Sequence, residues 1–166
     1  YDCQGRVIRA DYGDVTIVCV YIPSGEAEGP KYEYKMDFLE DFLLWIGELR
    51  KERPNIVVCG DYNIAHHPID INHPERQVGV SGFFLVEREW MDRWEASGMV
   101  DTFRMFDNSA EKYSWWSFRA ASRARNVGWR IDYHWVSECM KERVQDARIL
   151  ADVVHSDHCP VEVILN

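Results

Sequence analysis

Ile56-Val57-Val58-Cys59-Gly60-Asp61-Tyr62-Asn63 is an apolar, β-branched run that passes straight into a glycine, an acid and an amide. A short apolar run bounded by turn residues reads as a buried strand. Two further segments repeat the theme. Arg130-Ile131-Asp132-Tyr133 opens His134-Trp135-Val136, and Ser156-Asp157-His158-Cys159-Pro160-Val161 precedes a final apolar run. Three carboxylates, an amide and an imidazole therefore fall at strand edges, where a rigid sheet can hold polar groups around a divalent cation and a phosphate. An isolated Gly-Asp-x-Asn or Asp-His is more often an ordinary turn. Three such motifs in 166 residues point to a phosphoesterase.

The segments between these motifs read as alternating strands and helices. Arg6 to Ala10 and Val15 to Tyr21 flank Asp11-Tyr12-Gly13-Asp14 and form an expected hairpin. From Lys31 to about Arg53, Phe38, Leu39, Phe42, Leu43, Trp45, Ile46 and Leu49 recur at spacings of three and four, which predicts an amphipathic helix closed by Pro54. After Asn63 the chain turns irregular through Val80. A second helix is expected over Phe84 to Ser97, with Gly98 as its stop. With no repeat and no linker, residues 1–166 are read as a single domain of the α/β (α+β) class, a mixed sheet covered by helices.

Composition narrows the partners. The chain is 46% hydrophobic and 13% aromatic, enough for a real core. No apolar stretch is long enough for a membrane helix and no signal-type segment opens the chain, so no membrane partner is expected. Five cysteines without Cys-x-x-Cys spacing are read as reduced and buried, which suits the cytoplasm. The net charge of −9 opposes indiscriminate adhesion to nucleic acid. Residues 115–130 are the exception, with Arg119, Arg123, Arg125 and Arg130, no acid, and the rings of Trp115, Trp116, Phe118 and Trp129. Arginines for phosphates beside flat apolar surfaces are what a nucleic-acid site requires.

If extended geometry persists past Gly60, Asp61 and Asn63 project to one side while Tyr62 points away. The carboxylate can orient or deprotonate a water and the amide can bond a phosphate oxygen. Asp157-His158 needs a loop to aim both groups into one cleft. There Asp157 suits Mg²⁺ or Mn²⁺, and Asp132 is placed to orient His158. His66, His67 and His73 with Cys59 raise a zinc reading, disfavoured because their spacing matches no recognised convergent set.

Gly60-Asp61-Tyr62-Asn63-Ile64, Glu87-Arg88-Glu89-Trp90-Met91-Asp92, Val100-Asp101-Thr102-Phe103-Arg104, Asn126-Val127-Gly128-Trp129-Arg130-Ile131-Asp132-Tyr133 and Ser156-Asp157-His158-Cys159-Pro160-Val161 together resemble exonuclease III and the exonuclease III-like apurinic/apyrimidinic endonucleases. The resemblance runs along essentially the whole chain in the family's motif order. It implies two packed β-sheets flanked by helices and a Mg²⁺ (or Mn²⁺) DNA-repair phosphodiesterase of bacterial, cytoplasmic type. Its partner would be double-stranded DNA with abasic sites or blocked 3′ ends. Carried over by position, the catalytic set is Tyr21, Asp61, Asn63, Asp132 and His158. Asp157, with Asp61 and Asn63, looks like the metal set. Trp115, Trp129 and Ile131 resemble the pocket for a flipped-out abasic sugar. Arg119 resembles the duplex-wedging side chain, and Asn126 falls in the same DNA-binding stretch. Trp116 and Phe118 are assigned to the core.

The sequence lacks the family's opening strand and the motif whose glutamate is its principal metal ligand. Glu26, Glu28 and Glu33 stand in the wrong context to replace it. The expectation is an N-terminally truncated member, a monomer when full length, and inactive or impaired as this chain. The alternatives are a deoxyribonuclease I-like nuclease, a lipid or inositol phosphoesterase, or a non-catalytic DNA-binding module.

Overall fold

The computed structural model describes residues 2–166. Val7–Tyr12 (β1) and Val15–Tyr21 (β2) form the expected antiparallel hairpin. Its turn is tighter than the sequence indicated, because Tyr12 still pairs with Val15 and Gly13 takes a φ of 55°. Helix α1, Pro30–Glu52, then carries the chain back so that Asn55–Asp61 (β3) lies parallel to β2. Proline opens this helix, where a missing N–H costs nothing, and the Arg53 N–H closes it on the Leu49 carbonyl. Helix α2, Leu85–Ala96, leads into Met99–Asp101 (β4), and Asp132–Ser137 (β5) sits between β3 and β4. The sheet order is β1-β2-β3-β5-β4. Val144–Ile149 (β6) and Val161–Leu165 (β7) pair as a second, two-stranded sheet.

Alternation along β2 separates the two faces. Val18 and Val20 join Ile56, Val58, Tyr133 and Trp135 under Phe38, Leu39, Phe42 and Ile46 of α1 and Trp90 and Trp94 of α2. The Trp90 indole N–H donates to the Leu39 carbonyl at 3.0 Å, tying the helices together. On the opposite face Ile17, Val57 and Val136 meet Val144, Val163 and Leu165 of the second sheet. The result is the expected two-sheet architecture with helices on its outside. Further along that second face Ile8, Tyr12, Cys19 and Tyr21 are exposed.

Two expectations are corrected here. The cysteines carry no disulfide among the described residues, but Cys3, Cys19 and Cys139 are exposed and only Cys159 is buried. Cys19 belongs to an apolar strand whose outer face nothing covers at that point. Phe118 is 81% exposed rather than in the core, because it sits in a loop of short 3₁₀ turns, whereas Trp116 is buried as expected.

Gly60 is where β3 can lie against β2 and still turn towards the site. Its φ is 135°, and a Cβ there would fall 1.9 Å from the Val20 carbonyl oxygen. Gly60→Ala is therefore expected to lower stability by at least about 2 kcal/mol in urea denaturation. A midpoint equal to the parent's would disprove this account.

Candidate active site

Register places the functional side chains in one row. Tyr21 ends β2 opposite Asp61, the last residue of β3, and Asp61 lies opposite Asp132, the first residue of β5. Side chains directly opposite on neighbouring strands share a face. Asn63 joins them by a different route from the extended one the sequence indicated. It adopts a left-handed φ of 50°, and its N–H donates to Asp61 Oδ1 at 2.8 Å, so a side-chain-closed turn brings acid and amide together. Tyr62 does point away. It is fully buried against Tyr133 and Trp94. The Asn63 amide nitrogen donates to the Ile22 carbonyl at 2.9 Å and to Asp61 Oδ2 at 3.1 Å. Its Oδ1 has no hydrogen bond among the described residues. That leaves an oxygen donor for a cation, while the amide hydrogens that would reach a phosphate are already engaged.

The contact expected between Asp132 and His158 is present. His158 Nδ1 lies 2.9 Å from Asp132 Oδ2 and 3.1 Å from Oδ1. Ser114, which no sequence motif marks, braces the acid. Its hydroxyl donates to Asp132 Oδ2 at 2.7 Å and accepts the Ile131 and Asp132 N–H groups. Hydrogen bonding to Asp132 raises the His158 pKa, against its partial burial. Burial and then the nearby Asp132 charge push Asp61 up to about 6. Asp157 is lowered despite its slight burial, because the Trp115 indole N–H (3.0 Å) and the Ser156 hydroxyl (3.0 Å) donate to it.

These groups open onto a cavity of about 340 Å³ lined by Tyr21, Asp61, Asn63 and His158 on its polar side and by Trp115, Trp129 and Ile131 on its apolar side. Trp115 and Trp129 meet edge to face at 6.1 Å. Val80, Ser81 and Gly82 complete the wall. At Gly82 a side chain would press within 2.9 Å of the Trp129 ring and 3.0 Å of the Asn63 carbonyl oxygen. These three lie in the irregular segment, where no periodicity marks a residue.

Other sequence candidates sit elsewhere. Asp157 neighbours the cavity through Trp115 without lining it. Arg119 is exposed on the loop. Asn126 is part of the scaffold, accepting from the Trp116 indole at 3.0 Å and donating to the Glu111 carbonyl at 3.0 Å. Two of the four arginines expected to meet phosphate are committed internally. Arg130 is buried with Asp70 and Asp101. Arg123 donates to the carbonyls of Ser156, Ala151 and Val153, lashing the basic loop to the segment that carries Asp157. Only Arg119 and Arg125 remain exposed.

Behind the site, Lys35 and Glu87 form a fully buried ion pair at 2.7 Å. Lys35 also donates to the Asn63 carbonyl at 2.9 Å, and Glu87 accepts the N–H groups of Gly82 and Phe84. Both helices thus hold the backbone of the cavity wall. The signal was available, since Lys35 falls at helical spacing with Phe38, Leu39 and Phe42 on the apolar stripe.

Residues 1–158 match the sequence pattern of the Endonuclease/Exonuclease/phosphatase family. The chain belongs to that family. Among relatives of this Endonuclease/Exonuclease/phosphatase member, the exodeoxyribonuclease of Bacillus subtilis (strain 168) is 44% identical over 167 residues, covering 100% of this chain and 66% of the relative. The 3′ phosphatase NExo from Neisseria, solved bound to product DNA hairpin, superposes with a TM-score of 0.93 at 28% identity, covering 97% of this chain and 65% of that one. An AP endonuclease from Archaeoglobus fulgidus gives 0.90 at 25% identity, covering 98% and 66%. The chain spans about two thirds of the length of these family members.

Proposed function

We propose that this chain supplies the catalytic cavity of a DNA-repair phosphodiesterase that uses Mg²⁺ or Mn²⁺, cuts duplex DNA 5′ to abasic sites, removes blocked 3′ ends and degrades duplex DNA from the 3′ end. The observation that carries this reading is the row Tyr21, Asp61, Asp132, capped by His158 and opening onto a cavity walled by Trp115, Trp129 and Ile131. The likeness to an exodeoxyribonuclease and an AP endonuclease supports it. We read residues 1–166 as part of one domain, and the full-length protein as a monomer in the cytoplasm. No helix among the described residues is long and apolar enough to cross a membrane.

Asp61, with a pKa near 6, is ionised at neutral pH yet close enough to it to take a proton from an attacking water. The Asp132–His158 pair presents an oriented imidazole, carrying its charge more readily than a free one, to the scissile phosphate. Tyr21, half exposed at the cavity rim, offers a hydroxyl to the same phosphate. The apolar wall takes an extruded sugar that has no base. We read exposed Arg119, beside exposed Phe118, as the side chain that enters the duplex, and Asn126, bonded within this loop, as part of the same DNA-binding stretch. Asp61, the Asn63 Oδ1 and Asp157 are oxygen donors throughout, the set that Mg²⁺ takes. Such an ion supplies charge neutralisation at the phosphate and the leaving oxygen.

The test is cleavage of a labelled duplex carrying one abasic analogue, with Mg²⁺ and with chelator. It compares the 166-residue chain with a form extended N-terminally to the relatives' length. The extended form is expected to cut 5′ to the lesion, and the 166-residue chain to be at least about 10²-fold slower, since no glutamate among the described residues lines the cavity. Equal rates would remove the need for a further carboxylate. Binding without cleavage by either form would favour a DNA-binding module.

A further inference from the structure

We propose that His66, His67 and Asp92 form a second metal site, separate from the catalytic cavity, that takes a zinc-class divalent transition ion. His66 and His67 follow each other in the segment after Asn63, and their rings stack with centroids 3.6 Å apart and 23° between planes. Asp92 arrives from α2, its Oδ1 lying 2.8 Å from His66 Nε2. One donor atom from each of the three residues lies within 4.8 Å of the others. Zinc bonds of about 2.0–2.2 Å set tetrahedral ligand atoms about 3.3–3.6 Å apart. The His66–Asp92 pair is closer than this at 2.8 Å, and His67 and Asp92 are both exposed, so their side chains can adjust to an ion while His66 stays buried. Two imidazoles and one carboxylate suit Zn²⁺ and its neighbours, whereas Mg²⁺ demands oxygen.

The surroundings favour a cation. A cavity of about 170 Å³ borders the histidines and is also lined by Glu95, one turn beyond Asp92 on α2, and by Asp101. Asp101 is already paired with Arg130 at 2.7 Å, and Asp70 is shared by Arg130 and by Arg104, which also lines the cavity, so these four charges balance and the attraction for a cation comes from Glu95 and Asp92. His66 and His67 line this space, though Asp92 does not, and it leaves a fourth position for water beside the three ligands. No residue lining this cavity lines the catalytic one. Bound there, the ion would clamp the segment that follows Asn63 onto α2, adding to the Arg88 hydrogen bond that already reaches the His66 carbonyl at 3.1 Å. This assignment stands whether or not the chain hydrolyses DNA.

The experiment is titration of the chelator-treated 166-residue chain with Zn²⁺ by calorimetry, and with Co²⁺ followed by its visible absorption. Asp92→Asn keeps a hydrogen-bonding group beside His66 but removes the carboxylate, and His67→Ala removes a ligand on an exposed side chain. One-to-one Zn²⁺ binding is expected in the parent, weakened at least ~10-fold in each variant. A Zn²⁺-dependent rise in thermal midpoint should be seen in the parent and lost in both. The Asp61→Asn, Asp157→Asn double variant should retain the binding, which separates this site from the catalytic one. Absence of one-to-one Zn²⁺ binding overturns the assignment, as does binding unchanged in both variants or lost only in the catalytic double variant.

Discussion

Asp61→Asn is expected to reduce cleavage of an abasic duplex by at least about 10²-fold, in whichever chain length cleaves, while making the folded protein more stable at neutral pH. Both effects come from one cause. The carboxylate is largely buried opposite Asp132, so folding raises its pKa from 3.8 to about 6. A raised acid costs stability once both states ionise. The penalty is absent below about pH 4, grows between there and pH 6, and is complete above it, where it amounts to about 3 kcal/mol. The amide carries no charge and keeps an oxygen for the Asn63 N–H, but it loses the second acceptor now used by the Asn63 side chain. A net gain of about 1–3 kcal/mol at pH 8 in chelator is therefore expected, with no gain at pH 4. Destabilisation at pH 8 would mean that Asp61 is held by interactions stronger than its burial. Full activity would remove it from the chemistry.

Arg130→Met should produce the largest loss of stability, about 3–5 kcal/mol in chemical denaturation. Arg130 is 1% exposed. Its Nε donates to Asp70 Oδ1 at 2.7 Å, and a terminal nitrogen makes a charge contact with Asp101 at 2.7 Å. Arg104 reaches the same Asp70 oxygen. Methionine fills much of the volume but leaves the Asp101 carboxylate buried without its cation. The residue also lies between Trp129 and Ile131, and its N–H donates to the Asp70 carbonyl, so the cavity's apolar wall is expected to loosen with it. Asp70 adds a signature in pH. Although burial alone would raise it, Arg130 and then Arg104 hold its pKa down to about 2. Its contribution is thus present above pH 3.8 and lost as the pH falls towards 2, so acid lability of the parent should diminish in the variant. A midpoint within about 0.5 kcal/mol of the parent would show that the network is dispensable.

Much of the fold was readable because it is written in local periodicity. The helical spacing from Phe38 to Leu49 and the alternation from Val15 to Tyr21 depend only on which face each residue presents, and the structure places both elements within a residue or two of their expected bounds. Residue type likewise marked Asp61, Asp132 and His158 before any geometry was known. Local pattern and residue type thus carried the kind and order of the main elements, the family, and the cavity's groups apart from Val80, Ser81 and Gly82.

Tertiary structure alone decided which of those groups are free to act. Asn63 reaches Asp61 through a left-handed turn rather than a continued strand, because its N–H finds the carboxylate once the ladder ends. Arg130 and Arg123 are withdrawn from the apparent nucleic-acid patch by acids and carbonyls distant in the chain. Phe118 stays exposed and Lys35 becomes fully buried, each against its side-chain type. His66 meets Asp92 only because α2 packs beside the loop. Periodicity and turn preference act over a few residues and can be read from neighbours. The partner of a charge or a ring is chosen by packing between segments far apart in sequence, and that choice exists only once the sheets and helices have closed on one another.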